Sequence, residues 1–145
     1  MYKHILIPTD GSDISARAIE EGARLATVLG ARITVLTVTR PFHMITLSLE
    51  QLEESPEEHT QHSKQRANEV LADAQRRVEA ASVSYDGVCV EHEHPYEAII
   101  DTARSRGCDL IAVASHGRRG VASLFIGSET TRVLTHSTLP VLVYR

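Results

Sequence analysis

Ala114-Ser115-His116-Gly117, a spacer of nine residues, and Gly127-Ser128 form the segment of this chain best suited to hold an anion. Gly117 has no Cβ, so a ligand can approach its backbone closely and positive φ costs it little. Gly127-Ser128 opens an amphipathic stretch. A helix start there supplies unpaired N–H groups, a favourable dipole and a hydroxyl, all suited to phosphate. Arg118 and Arg119 add guanidinium charge at the rim. The same residues also read as two turn glycines with a serine N-cap, and spacing alone leaves both readings open. No Gly-Lys-Ser/Thr follows, so the segment is not a P-loop. Nor is it the dinucleotide fingerprint, which belongs after a first strand.

A second candidate is Pro8-Thr9-Asp10-Gly11. The Asp10 carboxylate can accept from a ribose hydroxyl or an adenine amine. It also reads as part of a helix-capping turn with Ser12 or Asp13, and the two readings stand equal here. A response-regulator site needs a further Asp after the third strand, where His92 to His94 stand instead. Metal chemistry is not expected. Cys89 and His92 are an odd number of residues apart, so a regular strand points them to opposite faces. His92, His94, His59 and His62 read as surface histidines, and His4, His136 and Tyr96 as structural. Cys108 beside Gly107 reads as a small buried hydrophobe.

Five short aliphatic runs alternate with four longer amphipathic stretches and position these candidates. The runs are His4–Ile7, stopped by Pro8, then Arg32–Val38, Ser82–His92, Asp109–Ala114 and Pro140–Tyr144. Asp86-Gly87 suggests a bulge or turn within the third. Helical spacing appears first in Ile14, Ala18, Gly22, Leu25, Ala26 and Leu29, with Ser12 or Asp13 capping and Gly30 ending the helix. It recurs over 56–81, with Ala67, Val70, Leu71, Ala74, Val78 and Ala81 on one side. A third helix starts at Pro95, turns Ile99, Ile100 and Ala103 inward and ends at Gly107. The last runs Ser128–His136. Residues 40–56 read as a loop with a solvated acidic end at Glu50, Glu53, Glu54, Glu57 and Glu58. Strand-helix alternation predicts an α/β parallel sheet with helices on both faces. In such sheets ligands bind beyond the carboxyl ends of the strands where strand order reverses. Both candidate loops stand at such ends.

Composition narrows the function. At 145 residues, 42% hydrophobic and 23% charged, the chain predicts one domain over 1–145 with a real core. A net charge of −4 disfavours non-specific nucleic-acid binding. Phe42 and Phe125 are the only phenylalanines and there is no tryptophan, so a base-stacking platform is not expected. No signal peptide, membrane span or disulfide framework is visible. The expected compartment is the cytoplasm.

Four segments together make the chain resemble the universal stress protein family from Tyr2 to Arg145. They are His4-Ile5-Leu6-Ile7-Pro8-Thr9-Asp10-Gly11-Ser12, Asp109-Leu110-Ile111-Ala112-Val113-Ala114-Ser115-His116-Gly117, Leu124-Phe125-Ile126-Gly127-Ser128-Glu129 and Pro140-Val141-Leu142-Val143. The resemblance implies a Rossmann-like three-layer sandwich, a five-stranded parallel sheet of order 3-2-1-4-5. It implies ATP or AMP at the carboxyl ends of strands one and four, with magnesium entering through the phosphates. It implies a homodimer paired through Val141, Leu142 and Val143 on strand five. Pro8, Thr9, Asp10 and Val38 are then expected at the adenine and ribose end. Gly117, Gly127, Ser128, Glu129 and Thr130 are expected at the phosphates, helped by His116 and Arg118. The family's signature, glycine-two-glycine-nine-glycine-Ser/Thr, places its first glycine on Ala114. A methyl there is costly if φ is positive and only narrows the ribose approach if φ is negative. The function favoured is a nucleotide-binding stress or signalling module, with enzymatic activity left open. A slow ATPase or phosphotransferase, with His116 as its proton carrier, is the alternative; a dimerisation module without nucleotide is a third.

Overall fold

Ile5, Leu6 and Ile7 are completely buried, and their alternation divides the core in two. The structure, a computed structural model, describes residues 1–42, 55–115 and 127–145. Its elements run β1 (His4–Pro8), α1 (Asp13–Leu29), β2 (Arg32–Thr39), α2 (Pro56–Ala80), β3 (Tyr85–Glu91), α3 (Pro95–Ser105), β4 (Leu110–Ala114), α4 (Ser128–His136) and β5 (Val141–Tyr144). The strands form one sheet of order β3-β2-β1-β4-β5, and every pairing is parallel. The α/β architecture and strand order are therefore those expected.

Ile5, Ile7, Ile33 and Val35 face α1 and α2, where they meet Ile19, Ala23, Ala26, Ala74 and Val78. Leu6, Leu36, Ile111 and Val113 face α3 and α4, where they meet Ile99, Ala103 and Val133. Each fully buried branched aliphatic side chain contributes ~1.5–3 kcal/mol relative to exposure. The central strands are buried on both faces because crossover helices cover both.

Local chemistry sets the helix ends. The Ser12 side chain accepts from Ser15 N–H at the start of α1, and Gly30 at φ 63° closes it. Gly22 lets α1 lie close to β1, since a Cβ there would collide with the Ile7 side chain. α2 starts with a reciprocal capping box between Ser55 and Glu58.

Several boundaries differ from expectation. β3 begins at Tyr85 because Ser82 adopts φ 58°, a left-handed turn after α2. Asp86-Gly87 forms no bulge: Asp86 and Gly87 pair in unbroken register with Thr34 and Val35. Gly87 instead leaves room for the Tyr85 side chain, whose hydroxyl donates to Leu71 O. Ile100 is only half-buried, and the inner face of α3 is Ala98, Ile99, Thr102 and Ala103. Asp109 precedes β4; its carboxylate accepts from Lys3 N–H at 2.8 Å and His4 N–H at 3.0 Å, tying the starts of β1 and β4 together. Of the expected 40–56 loop, residues 43–54, with Glu50, Glu53 and Glu54, lie outside the described residues; Glu57 and Glu58 are exposed.

Candidate functional site

β1 connects onward to β2 on one side and pairs with β4 on the other, so strand order reverses between β1 and β4. Leu6 pairs with Ile111. Continuing that register brings Thr9 level with Ala114, so the two expected loops leave the sheet side by side.

The first loop is a tight polar turn. Pro8 ends β1 half-buried, and Thr9 N–H donates to Leu36 O at 2.8 Å. β2 thus runs on past β1, which places half-buried Val38 at the rim above the turn. Thr9 is buried; its Oγ1 lies 2.9 Å from Ser15 Oγ and accepts from Gly11 N–H at 3.2 Å. Asp10 Oδ1 accepts from Ser12 N–H at 2.9 Å and from Ser15 Oγ at 3.1 Å. The capping reading of Asp10 therefore holds geometrically, and it orients the carboxylate.

The second loop is pinned at its ends. Buried Ser115 donates its N–H to Tyr144 O at 2.7 Å and accepts from Gly127 N–H at 2.6 Å. Gly127 is thereby fixed at the end of β4, where it is the N-cap of α4, with φ −57° and ψ 153°. Ser128 is the first helical residue and not the N-cap. The first intrahelical bond is Thr131 N–H to Gly127 O at 2.9 Å. Helix geometry therefore leaves the N–H groups of Ser128, Glu129 and Thr130 without intrahelical acceptors, at the positive end of the α4 dipole.

Two expected phosphate contacts have side chains engaged elsewhere. Thr130 Oγ1 donates to Ala114 O at 2.8 Å, fastening α4 to β4. Glu129 Oε2 accepts from Tyr96 N–H at 3.0 Å and Oε1 from Arg132 at 3.0 Å. It caps α3, whose own N-cap, His94, makes no side-chain cap bond. Glu129 and Thr130 can therefore serve an anion through main-chain N–H groups. Ala114 pairs with Tyr144 in β4, and Ser82 is the only non-glycine with positive φ among the described residues. The Ala114 methyl therefore causes no backbone strain. His116, Gly117 and Arg118, like Arg119 and the Leu124-Phe125-Ile126 segment, lie outside the described residues.

Ser15 and Ser115 organise the two loops, and neither stood out as a site residue by type. The only available signal for Ser15 was its place three residues after a candidate cap. A cleft of about 200 Å³ opens on the α1–α2 side of the same turn, lined by Thr9, Gly11, Ala16, Ile19, Glu69, Val70 and Asp73. It shares the turn with the candidate site but includes no α4 residue. Among the described residues no three His, Cys, Asp or Glu side chains converge on a metal position. His92 Nδ1 accepts from His94 N–H at 2.9 Å, while Cys89 is exposed on β3.

The description of the matching family model, which spans residues 1–145, is universal stress protein family. The chain belongs to that family. Universal stress protein YxiE of Bacillus subtilis is 30% identical over 149 residues and is covered, like this chain, over 100% of its length. Universal stress protein MJ0577 of Methanocaldococcus jannaschii is 27% identical over 158 residues, covering 100% of this chain and 96% of its own. The solved structure of MJ0577 superposes with a TM-score of 0.82 at 26% identity, covering 99% of this chain and 95% of that one. Two more distant structures share the fold. One is a universal stress protein in complex with cAMP, with a TM-score of 0.73 and 23% identity over 99% of this chain and 97% of that one. The other is the universal stress protein from Archaeoglobus fulgidus in complex with dAMP, with a TM-score of 0.72 and 18% identity over 99% of this chain and 98% of that one.

Proposed function

We propose that this universal stress protein binds an adenine nucleotide, ATP or AMP, between the Thr9–Gly11 turn and the N-terminus of α4. The observation that carries this reading is the juxtaposition at the switch point. Asp10, oriented as an acceptor, and the N–H groups of Ser128 to Thr130, oriented as donors, flank the end of β4. That polarity suits a ribose or adenine donor at one end and a phosphate at the other. Half-buried Val38 offers the adenine an aliphatic wall in a chain without tryptophan. Family members holding cAMP and dAMP support the ligand class. The extended backbone of Ala114 removes the main objection raised by its methyl.

On this reading the protein works as a single 145-residue domain, paired through β5 into a homodimer, and acts by population shift and not by turnover. Cys89 and Cys108 are both free thiols, in keeping with a reducing cytoplasmic setting. The test is thermal melting with ATP, ADP and AMP, each with and without magnesium. A nucleotide-dependent rise in Tm is expected, and magnesium, by offsetting phosphate charge, would enlarge it for ATP. No rise with any of the three at millimolar concentration overturns the reading in favour of a dimerisation module.

A further inference from the structure

Ser15 is 4% exposed and stands in the first turn of α1, surrounded by oxygen. Its Oγ lies 2.9 Å from Thr9 Oγ1, 3.2 Å from Ser12 Oγ, 3.1 Å from Asp10 Oδ1 and 2.9 Å from Ser12 O. A serine hydroxyl has one proton to give and two lone pairs to fill. Ser12 Oγ donates to it. The contact with Thr9 Oγ1 can run either way, and it runs from Thr9 to Ser15 once the single Ser15 proton is given to another acceptor. Ser15 has one proton for two acceptors, Asp10 Oδ1 and Ser12 O. The carboxylate is the charged one and makes the stronger bond. The donors therefore run from Thr9 and Ser12 into Ser15, and from Ser15 into Asp10. Ser12 N–H reaches the same Oδ1 at 2.9 Å, so two donors together fix the carboxylate in its turn.

We infer that Ser15 is the positioning residue that aims the Asp10 carboxylate, and that its effect on ligand affinity passes through Asp10. The affinity half of this inference rests on the nucleotide reading above; the positioning half does not. Removing the Ser15 hydroxyl strands the buried Thr9 hydroxyl and takes from Asp10 Oδ1 one of its two donors, leaving Ser12 N–H to hold that oxygen with a looser aim. A purely structural serine would lower affinity whether or not Asp10 is present.

The test combines amide hydrogen exchange at Gly11 and Ser12, without ligand, with calorimetric titration of AMP. It uses the wild-type chain, Ser15→Ala, Asp10→Ala and the double variant. Ser15→Ala is expected to speed exchange at both amides about tenfold and to weaken AMP binding about tenfold, yet to add nothing in the Asp10→Ala background. Unchanged exchange in Ser15→Ala overturns the inference, and so does an equal loss of affinity with and without Asp10. Should the wild-type chain take up neither AMP nor, in a parallel titration, ATP, the nucleotide reading falls, while the exchange rates still decide whether Ser15 holds the turn.

Discussion

Glu129 shows how far a residue's type underdetermines its work. The family resemblance places Glu129 at the phosphates, where its main-chain N–H stands at the start of α4, while its carboxylate caps α3 through Tyr96 N–H. The partner is 33 positions away in the chain, so no local spacing could reveal it. Asp10 was more legible, because turn and carboxylate lie within one short segment. Thr130 was legible by position but not by partner. We predict that Thr130→Val, which removes the hydrogen bond to Ala114 O, destabilises the fold by about 1 kcal/mol. An unchanged urea midpoint would deny that bond a structural role. His4 is a second residue-scale case. It is buried, with Nε2 2.7 Å from Thr34 Oγ1. Burial and the Arg32 guanidinium hold its imidazole below the ordinary value of 6.5, against the opposing pull of Asp109, the Arg106 backbone and Asp86. As pH falls, the unfolded chain takes up this proton before the folded one does. The contribution of His4 is therefore full above pH 6.5 and is lost as pH falls through the folded value. The urea midpoint should drop between pH 7 and pH 5, and less steeply in His4→Leu. Equal slopes in the two proteins would contradict this.

At the scale of elements, periodicity carried the helices and strands because each has one or two faces that must be apolar. It placed α4 at Ser128–His136 and the capped start of α1. It missed where side chains merely make room. Asp86-Gly87 carries a turn signal, but the regular register of β3 shows the glycine accommodating Tyr85. Ile100 fits the expected inner face of α3 by spacing, but Ala98 and Thr102 take that surface. Two glycines in and after α1 have testable roles. Gly30→Ala adds a Cβ that meets nothing within 4 Å, so its cost is purely that of φ 63°, about 1–2 kcal/mol. Gly22→Val drives a side chain into Ile7, which is completely buried and cannot swing aside, and should cost about 1–3 kcal/mol. Urea denaturation of both variants checks this pair. If Gly22→Val is as stable as wild type, α1 does not pack on β1 as closely as described.

At the scale of the whole molecule, the sheet leaves two edges, β3 and β5. β3 carries exposed Asp86 and Glu91, the charged edge of a strand that avoids pairing. β5 shows half-buried Val141, Leu142, Val143 and Tyr144 with no charge among them. That contrast favours β5 as the homodimer seam in our proposal. Light scattering at micromolar concentration should report a dimer, and Val141→Asp should raise its dissociation constant at least about tenfold. A wild-type monomer would count against the seam. Layering was legible because strand-helix alternation leaves few topologies, and the strand order was legible only through the family resemblance. The candidate site was legible only in outline. Its glycine signature points to a place, while the orientation of Asp10 and the pinning of Gly127 by Ser115 depend on contacts that exist only after folding.

The central claim is that the turn after β1 and the start of α4 together bind an adenine nucleotide. Calorimetric titration of the wild-type chain and of Asp10→Ala with AMP and with ATP tests it most directly. We predict one saturable site per chain in the wild type, and an affinity lower by at least about tenfold in Asp10→Ala. No saturable heat from either nucleotide at millimolar concentration, or equal affinity in the two proteins, would contradict it.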